Sequence, residues 1–498
     1  MLHTSTVSDV LRRTVRRQPE KLALRFGERT WTYRELDDAV TRGAACLLER
    51  GLHKGDRVAA YGKNSDAYII AFLACARAGL VHVPINFALT GDELEHFFTD
   101  SGASLVLVDP TLQPNVDEVS APDAFALRDA EGSFLDKVSA GPVPPLDVEL
   151  HDEDLVQLLY TSGTTSRPKG AMMTHRALVS QYLSCIVELD FHAHAEPLHV
   201  MPLYHSAQMH VFVLPQLMVG ATNTVLETPD PEEIVTRLSR DGHRSFFAAP
   251  TLWVAIANRP DLDQYDLTGL ASCYYGASIM PGPILERLAQ RMPGAGWYNC
   301  FGQSEIAPLA CVLHPDEHAQ RPHSAGRPVL LVEMRVVDDA GTEVEPGGVG
   351  EVVYRSPQLC EGYWNSPEAT QEAFRDGWFH SGDLARIDAE GYIEIVDRIK
   401  DVINTGGVLV ASREIEDALY THPEVAEVAV IGVPHEKWVE AVHAVVVPTD
   451  GAQPNPDDLI AHVRDRLAPF KVPKSVELTD ALPRNASGKI LKRELRRR

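Results

Sequence analysis

The chain has few cysteines, no excess of positive charge and no long apolar run, and each shortage excludes a class of protein. Seven cysteines in 498 residues, none in a Cys-x-x-Cys pair, indicate buried reduced thiols and not a disulfide framework or a zinc site. The 46 lysines and arginines are outnumbered by 70 aspartates and glutamates, which gives a formal charge of −24. Because nucleic-acid coats and polybasic membrane binders need a cationic face, we expect no nucleic-acid partner.

The longest apolar run, Ala67–Ala76, ends at Arg77 and is shorter than the roughly 20 residues that cross a bilayer. We therefore expect no transmembrane segment. The first twenty residues hold several arginines but no hydrophobic signal core, and Asp9 and Glu20 favour a surface helix over a transit peptide. These features predict a cytoplasmic protein.

Apolar, β-branched stretches alternate with amphipathic helical patterns along most of the chain, which predicts an α/β fold with mostly parallel sheets. The Gly/Pro-rich stretch 338–350 predicts a hairpin and a β-rich part near residue 350. A charged stretch at 396–401 suggests a boundary. We expect a large N-terminal domain of layered α/β sheets over residues 1–397 and a small α+β domain over residues 398–498. The predicted strands are Arg57–Tyr61, Leu105–Val108, Val156–Tyr160, Ser245–Ala248 and Val425–Ile431.

The strongest local signal is a run of small and hydroxyl residues that follows a predicted strand at 155–160. Glycine lets backbone N–H groups approach oxyanions, hydroxyls donate hydrogen bonds, and cations neutralise charge, so the run suits phosphate binding. A flexible surface loop is the alternative, and the spacing is not that of a Walker A loop. The residues concerned are Thr161, Ser162, Gly163, Thr164, Thr165 and Lys169.

Six further segments follow in order: Met-Pro-Leu-Tyr-His at 201–205, Tyr-Gly-Ala-Ser at 275–278, Asn-Cys-Phe-Gly-Gln-Ser-Glu at 299–305, Trp-Phe-His-Ser-Gly-Asp at 378–383, Asp-Arg-Ile-Lys at 397–400 and Pro-Arg-Asn-Ala-Ser-Gly-Lys at 483–489. With the hydroxyl-rich run, they make the sequence resemble the adenylate-forming superfamily of acyl-CoA synthetases, peptide-synthetase adenylation domains and luciferases. It is most similar to a fatty acyl-CoA synthetase. The resemblance covers nearly the whole chain and implies a mobile C-terminal domain.

The resemblance also implies an ATP site. Asp383 would accept the ribose hydroxyls, and Glu305 would hold Mg²⁺, a cation that prefers carboxylate and phosphate oxygens. Ser304 stands where the family usually has threonine and keeps a hydroxyl for the α-phosphate. Thr161 and Lys169 would act on the phosphates. The remaining residues expected around the nucleotide are Gly276, Ala277, Asn299, Phe301, Gly302 and Arg398.

Lys489 resembles the family's C-terminal catalytic lysine. When a carboxylate attacks the α-phosphorus, two anions meet, and an ammonium that bridges them would stabilise the transition state. On composition alone, Lys489 belongs to a basic terminal segment, 489–498, which predicts a solvated tail.

Thioester formation requires a thiol to reach the adenylate, and the resemblance implies that the C-terminal domain rotates about Lys400 to admit it. Gly406 and Gly407 would line the pantetheine tunnel. The segment 406–414 departs from the family, because Leu409 and Ala411-Ser412 replace its usual residues. We expect Ser412 to cap the helix that opens at Arg413.

The acyl pocket is expected along a helix over 201–220, which contains no Asp, Glu, Lys or Arg. An amino acid or a dicarboxylate would leave an unpaired buried charge there, so we predict a monocarboxylic acid with an apolar tail, either an alkyl chain or a hydrophobic ring. A metal site in the nearby histidine cluster 192–210 is a rival interpretation. The expected pocket residues are His205, Gln208, Met209, Gly276 and Gly302.

The sequence therefore predicts an ATP-dependent acyl-CoA ligase that uses ATP, Mg²⁺ and CoA and releases AMP and pyrophosphate. An enzyme that loads an acyl carrier protein in place of CoA is the nearest alternative. An oxygen-dependent luciferase and a non-catalytic nucleotide sensor on the same scaffold are more distant ones.

Overall fold

The computed structural model describes residues 5–161, 168–278, 280–405, 408–435, 438–484 and 490–496. The chain divides into two compact units. The larger comprises Met1–Pro322, Gly326–Glu333 and Arg355–Phe379, and the smaller comprises His323–Ala325, Met334–Tyr354 and His380–Arg498. The expected α/β class, with a large unit and a small one, is confirmed. The boundary expected at 397/398 stays a prediction, because compactness does not show where one body rotates against another.

Strands form at every stretch predicted as a buried strand, and Leu105–Val108 and Val425–Ile431 are rich in β-branched residues. In chain order they are β1 Leu22–Phe26, β2 Arg29–Thr32, β3 Arg57–Tyr61, β4 Val81–Ile85, β5 Leu105–Val108, β6 Asp123–Ala126, β7 Leu155–Thr161, β8 Lys169–Thr174, β9 Pro197–His199, β10 Asn223–Val225, β11 Ser245–Phe247, β12 Ser272–Gly276, β13 Gly296–Gly302, β14 Leu309–Leu313, β15 Arg327–Pro328, β16 Glu333–Val337, β17 Val349–Arg355, β18 Phe374–Arg375, β19 Trp378–Ile387, β20 Ile393–Arg398, β21 Ile403–Thr405, β22 Val408–Val410, β23 Val425–His435, β24 Val439–Pro448 and β25 Ser475–Leu478.

The helices begin at polar caps in most cases. Thr32 and Glu35 form a reciprocal capping box at the start of α2, and the Ser65 hydroxyl accepts from the Tyr68 N–H at the start of α3. The helices are α1 Val7–Arg17, α2 Tyr33–Glu49, α3 Asp66–Ala78, α4 Gly91–Ser101, α5 Gln113–Asp117, α6 Phe134–Ser139, α7 His175–Glu188, α8 Leu214–Val219, α9 Pro231–Arg240, α10 Pro250–Ala257, α11 Gly282–Arg291, α12 Pro367–Ala373, α13 Ser412–Tyr420, α14 Pro456–Arg464 and α15 Lys492–Leu495.

Two largely parallel sheets form the larger unit. One has the order β2-β1-β10-β9-β11-β12-β13-β14-β15 and is parallel from β1 to β13; the other has the order β6-β5-β3-β4-β7-β8 and ends in the antiparallel β7–β8 hairpin. Because parallel strands end at one edge of a sheet, the segments that follow β9, β12 and β13 meet there. Ligands of open α/β sheets bind at this edge.

Helix α3 lies at the centre of the larger unit's core, and all of its residues are buried. The apolar run Ala67–Ala76, which is too short for a membrane span, therefore belongs to a core helix. Arg77 near its end is also buried, and its guanidinium contacts Asp37 and Ser8. No helix in the described parts of the chain combines the length and apolar character that a membrane span requires.

The smaller unit contains two further sheets. Strands β16, β17 and β19 lie side by side and β20 pairs with β19, which confirms the β-rich part near residue 350. The second sheet has the order β22-β21-β24-β23, with β25 parallel to β24. Helices α13 and α14 bury Ile415, Leu419, Leu459 and Val463 in its core.

Candidate active site

The hydroxyl-rich run lies between β7 and β8, and the hairpin register places Thr161 opposite Lys169. Ser162, Gly163, Thr164 and Thr165 lie outside the described residues. The base of the hairpin is anchored on both sides. The Tyr160 hydroxyl donates to Asp100 Oδ2 at 2.6 Å, and the His96 Nε2 lies 3.2 Å from the Pro168 carbonyl oxygen. Lys169 thus begins a strand whose position is fixed.

Glu305 lies on a short 3₁₀ turn, Ser304–Ile306, that follows β13, and only 8% of its surface is exposed. The Tyr363 hydroxyl donates to Glu305 Oε1 at 3.0 Å, and the Cys360 N–H donates to the Glu305 carbonyl at 2.9 Å. Among the described residues the carboxylate is bonded to a neutral hydroxyl, which fixes its orientation without pairing it with a cation. A fixed anionic oxygen of this kind suits Mg²⁺.

The segment 358–364, here called the brace, connects this turn to the β7–β8 hairpin. Gly362 accepts from the Met172 N–H at 2.9 Å, and the Trp364 N–H donates to the Gly170 carbonyl at 2.8 Å, so the brace pairs with β8. The Tyr363 ring has the Lys169 ammonium over its face, 5.5 Å from the centroid. Lys169 and Glu305 therefore both contact Tyr363, although 136 positions separate them in the sequence.

Gln358 contacts the end of the same turn from within the core, with its Nε2 3.4 Å from the Ile306 carbonyl oxygen. Its Nε2 donates to the Leu309 carbonyl at 3.1 Å, and its Oε1 accepts from the Ser184 hydroxyl at 2.6 Å. Sequence reasoning missed the brace entirely. The Gly-Tyr-Trp triplet at 362–364 was its visible signal, but an aromatic pair is more often simple core.

The strand ends expected beside the adenine are closely packed. A Cβ on Gly276 would lie 2.2 Å from the Cys300 carbonyl oxygen, and one on Gly302, where φ is +157°, would lie 1.9 Å from the Pro308 oxygen. Only glycine allows these approaches. Ala277 follows with φ +65° and is exposed, while Asn299 and Phe301 on β13 are partly buried. An accessible surface therefore remains at this edge, and the contact of these residues with adenine stays a prediction.

The pocket segment meets the Glu305 turn directly, because the Ser206 and Ser304 hydroxyls lie 3.0 Å apart. Asn64, which the sequence did not single out, fixes the preceding residues. Its Nδ2 donates to the Met201 carbonyl at 3.0 Å and its Oδ1 accepts from the Leu203 N–H at 2.7 Å. Asn64 follows β3 at the carboxyl edge of its sheet, and that position was the available signal.

The expected helix over 201–220 is only partly regular. A π-helix covers Ala207–Val213 and α8 completes the segment. His205 is partly buried and its Nδ1 accepts from the Ala207 N–H at 3.2 Å. Gln208 and Met209 are buried, and Gln208 bonds inward, with Oε1 accepting from the Met201 N–H at 3.1 Å. Their role in an acyl pocket stays a prediction.

The histidine cluster separates into buried and exposed members. His199 lies between Gln208 and Asn223, each 2.9 Å away, and burial lowers its pKa to about 4. His210 lies 2.7 Å from Gln157 Oε1, and burial lowers its pKa to about 3. His192 and His194 are exposed. In the described part of the chain, no group of three or more His, Cys, Asp or Glu side chains is placed to hold a metal ion.

In the smaller unit, Asp383 is buried at 3% exposure and faces Arg398 across β19 and β20, with 2.9 Å between Oδ1 and Nε. Gly382 turns the chain with φ +71°, and its N–H donates to Glu351 Oε1 at 3.0 Å. Asp383, expected at the ribose, and Arg398, expected at the ribose or phosphate, therefore contact each other. Their contact with a nucleotide stays a prediction.

Lys400 lies on an exposed 3₁₀ turn, Ile399–Asp401, directly after β20. Gly406, Gly407 and Lys489 lie outside the described residues. Ser412 does not cap α13 as expected, because it is the first residue of that helix. Its hydroxyl instead donates to Asp397 Oδ2 at 2.7 Å.

The described part of the basic terminus is not a solvated tail. Lys492 Nζ lies 2.8 Å from Glu416 and 2.6 Å from the Ser412 hydroxyl, and Arg496 forms an ion pair with Asp401 at 2.9 Å. Burial alone would lower the pKa of Lys492, but Glu416 and Asp397 outweigh it and the pKa is raised. Composition indicated a tail because the acidic partners lie on distant elements.

Comparison with known proteins gives consistent matches. The family profile described as AMP-binding enzyme matches residues 11–364, and the profile described as AMP-binding enzyme C-terminal domain matches residues 414–489. The chain is 41% identical, over 98% of its length and 97% of theirs, to proteins named feruloyl-CoA synthase from Amycolatopsis sp and Streptomyces sp.

Two further matches extend over nearly the same length. A fatty acid–[acyl-carrier-protein] ligase, ScoC of Streptomyces coeruleorubidus, is 35% identical over 97% of this chain and 94% of its own. The crystal structure of ATP-bound MatB from Rhodopseudomonas palustris has a TM-score of 0.90 and 31% identity, and the match covers 99% of both chains.

Proposed function

This chain belongs to the family of AMP-binding enzymes, and on that premise we propose that it is an AMP-forming acid–CoA ligase for an aromatic or otherwise apolar monocarboxylic acid. The acid and Mg·ATP give an acyl-adenylate and pyrophosphate, and CoA then displaces AMP. ATP and CoA are substrates, and Mg²⁺ is the metal of the reaction.

One observation carries this proposal. Lys169, Glu305 and the opening of the uncharged pocket segment converge within the larger unit, through the Tyr363 contacts and the 3.0 Å approach of Ser206 to Ser304. A cation for the phosphates, a carboxylate for a metal and an uncharged surface for the acid's tail are the groups that adenylation of an apolar carboxylic acid requires.

Each residue has a distinct task. Glu305 would hold Mg²⁺, which when bound neutralises phosphate charge. Lys169, with Thr161 and the hydroxyls at 162–165, binds the phosphates. Asp383 binds the ribose hydroxyls, and its contact with Arg398 holds the carboxylate in place. Lys489 bridges the attacking carboxylate and the α-phosphate.

The acid class follows from charge and from similarity. The segment 201–220 offers no ionised partner for an ammonium or a second carboxylate, so either would be buried unpaired. The relatives named feruloyl-CoA synthase are 41% identical, against 35% for the fatty acid ligase ScoC. This difference favours an acid with a ring over a long alkyl chain.

The acceptor has a second candidate, because ScoC is named for an acyl carrier protein. The unusual segment 406–414, which the resemblance places along the pantetheine path, is compatible with either acceptor. Parallel assays with CoA and with phosphopantetheinylated carrier protein separate the two.

The experiment is a pyrophosphate-release panel with ferulic, indole-3-acetic, octanoic, palmitic and malonic acids and phenylalanine, each with and without CoA. We expect the highest kcat/KM with ferulic or indoleacetic acid, and acyl-CoA and AMP as products when CoA is present. A preference for malonic acid or phenylalanine would contradict the proposed acid class.

A further inference from the structure

Tyr363 contacts the charged residues assigned to Mg²⁺ and to the phosphates, and it has no assigned task of its own. Its hydroxyl donates to Glu305 Oε1 at 3.0 Å, and its ring lies under the Lys169 ammonium at 5.5 Å. We propose that Tyr363 is a positioning residue that sets the Mg²⁺-binding carboxylate and the phosphate-binding lysine together. This inference rests on the proposed function, from which it takes the tasks of Glu305 and Lys169.

The backbone fixes Tyr363, so the side chain can impose a position on its neighbours. The Tyr363 N–H donates to the Thr370 hydroxyl at 2.9 Å, and the adjacent Gly362 carbonyl accepts from Met172 on β8 at 2.9 Å. Gly362 has φ +128°, and a Cβ there would lie 2.5 Å from Thr370 Cγ2. Both the conformation and the packing therefore require glycine before the tyrosine.

The contacts of Tyr363 provide Lys169 and Glu305 with partners other than each other. A lysine and a glutamate near one another attract, and a direct ion pair between them would cancel the charges that the ligand needs. Tyr363 offers each charge a different partner: the π-face attracts the ammonium, and the hydroxyl at the ring edge donates to the carboxylate. The Lys169 ammonium and the Glu305 carboxylate are thus held in position, and each keeps its charge for the phosphates or the metal.

A purely structural task for Tyr363 predicts a different outcome. The ring also packs against the main core cluster of the larger unit. If packing were its whole contribution, removal of the hydroxyl would change stability and leave the metal requirement unaltered. The Mg²⁺ dependence of nucleotide binding is therefore the informative quantity, because it can be measured without turnover.

The test measures binding of α,β-methylene-ATP by calorimetry over a range of Mg²⁺ concentrations. For Tyr363→Phe we expect the Mg²⁺ concentration at half-maximal binding to rise about tenfold, as for other groups that orient a metal ligand. Binding without Mg²⁺ should be unchanged. For Tyr363→Leu we expect the same rise and, in addition, about threefold weaker binding without Mg²⁺, because Lys169 loses its ring.

Tyr265→Phe is the matched control. Tyr265 is also a partly buried tyrosine of the larger unit, with the Arg259 guanidinium 5.9 Å from its ring centroid, and it packs in a separate core cluster. The Tyr265→Phe variant should bind the nucleotide with the same affinity and the same Mg²⁺ dependence as the parent chain. Thermal denaturation of each variant confirms that it is folded, and Tyr363→Phe keeps the test open should the leucine variant not fold.

Glu305→Gln separates the inference from its premise. If this variant loses Mg²⁺ dependence while Tyr363→Phe matches the parent chain, Tyr363 does not position the carboxylate and the proposed function stands. If Glu305→Gln keeps the parent's Mg²⁺ dependence, the metal assignment fails, and the task of Tyr363 fails with it. Loss of Mg²⁺ dependence in Glu305→Gln, together with the raised Mg²⁺ requirement in Tyr363→Phe and an unaffected Tyr265→Phe, supports both.

Discussion

At the scale of single residues, buried histidines connect packing to pH. His82 and His210 are fully buried on either side of Gln157, and burial lowers the pKa of each to about 3. On unfolding, the pKa of each imidazole returns to about 6.5, and below that pH the side chain takes up a proton. The free energy of unfolding therefore decreases as the pH falls from about 6.5 to about 3. Above about pH 6.5 these histidines cause no such decrease.

We expect His210→Gln to weaken this dependence. A neutral histidine that protonates only on unfolding contributes a slope of about 1.4 kcal/mol per pH unit within the window. The free energy of unfolding is measured by urea denaturation from about pH 6 to about pH 4. Its decrease per pH unit should be smaller in the variant than in the parent by roughly this amount. His192→Gln, which changes an exposed histidine, should leave the slope unaltered. An unchanged slope in His210→Gln would show that the histidine titrates in the folded chain.

Lys489→Ala should abolish acyl-adenylate formation and spare thioester formation from supplied acyl-adenylate. The ammonium is expected to act while two anions combine, and that charge is absent once pyrophosphate has left. Each half-reaction is measured separately, by pyrophosphate release and by acyl-CoA formation. Lys474→Ala, an exposed lysine of the same unit, should preserve both. Equal loss in the two half-reactions would contradict the assigned task.

Residues with a local chemical signature were predictable. Glu305 follows β13 and Lys169 begins β8, both carry charges suited to the tasks proposed for them, and both contact Tyr363. Tyr363 itself was not predictable, since its significance lies in contacts with residues 58 and 194 positions away. Asn64 was missed for the same reason.

At the scale of elements, the parallel strands β12 and β13 end at the edge where we expect the nucleotide to bind. Gly276 closes β12, and its Cα approaches the Cys300 carbonyl so closely that a Cβ would lie 2.2 Å away. Since the neighbouring atom belongs to the backbone, a side chain can be accommodated only if the strands separate.

Gly276→Ala should therefore lower the free energy of unfolding by about 1–3 kcal/mol and reduce nucleotide affinity. Gly269→Ala provides the control, because a Cβ at that loop glycine meets nothing within 4 Å. Urea denaturation and calorimetric binding of α,β-methylene-ATP report the two effects. Parent-like stability and affinity in Gly276→Ala would show that the β12–β13 approach has no bearing on the site.

Elements with a clear period were predicted within a few residues, and the exceptions have local causes. The expected helix over 201–220 begins only at Ala207, because the preceding residues form a turn held by Asn64. Ser412 was expected to precede α13 and instead begins it, since its hydroxyl is bonded to Asp397. Hydrogen bonds between distant residues determined both outcomes.

At the scale of the whole molecule, the two compact units are built from discontinuous stretches of sequence. Residues 334–354 precede the expected boundary yet belong to the smaller unit, and 355–379 return to the larger one. Composition and periodicity are local properties, so they do not reveal such an exchange. The ordered series of motifs did reveal the family, because it extends over both units.

The central claim is that this chain joins a carboxylic acid to AMP before any thiol takes part. Acid-dependent exchange of labelled pyrophosphate into ATP, measured with ferulic acid and without CoA, tests it most directly. We predict exchange that requires the acid and Mg²⁺, does not require CoA and is absent in Lys489→Ala. ATP consumption to ADP and phosphate, or exchange that proceeds equally well without any acid, would contradict the account.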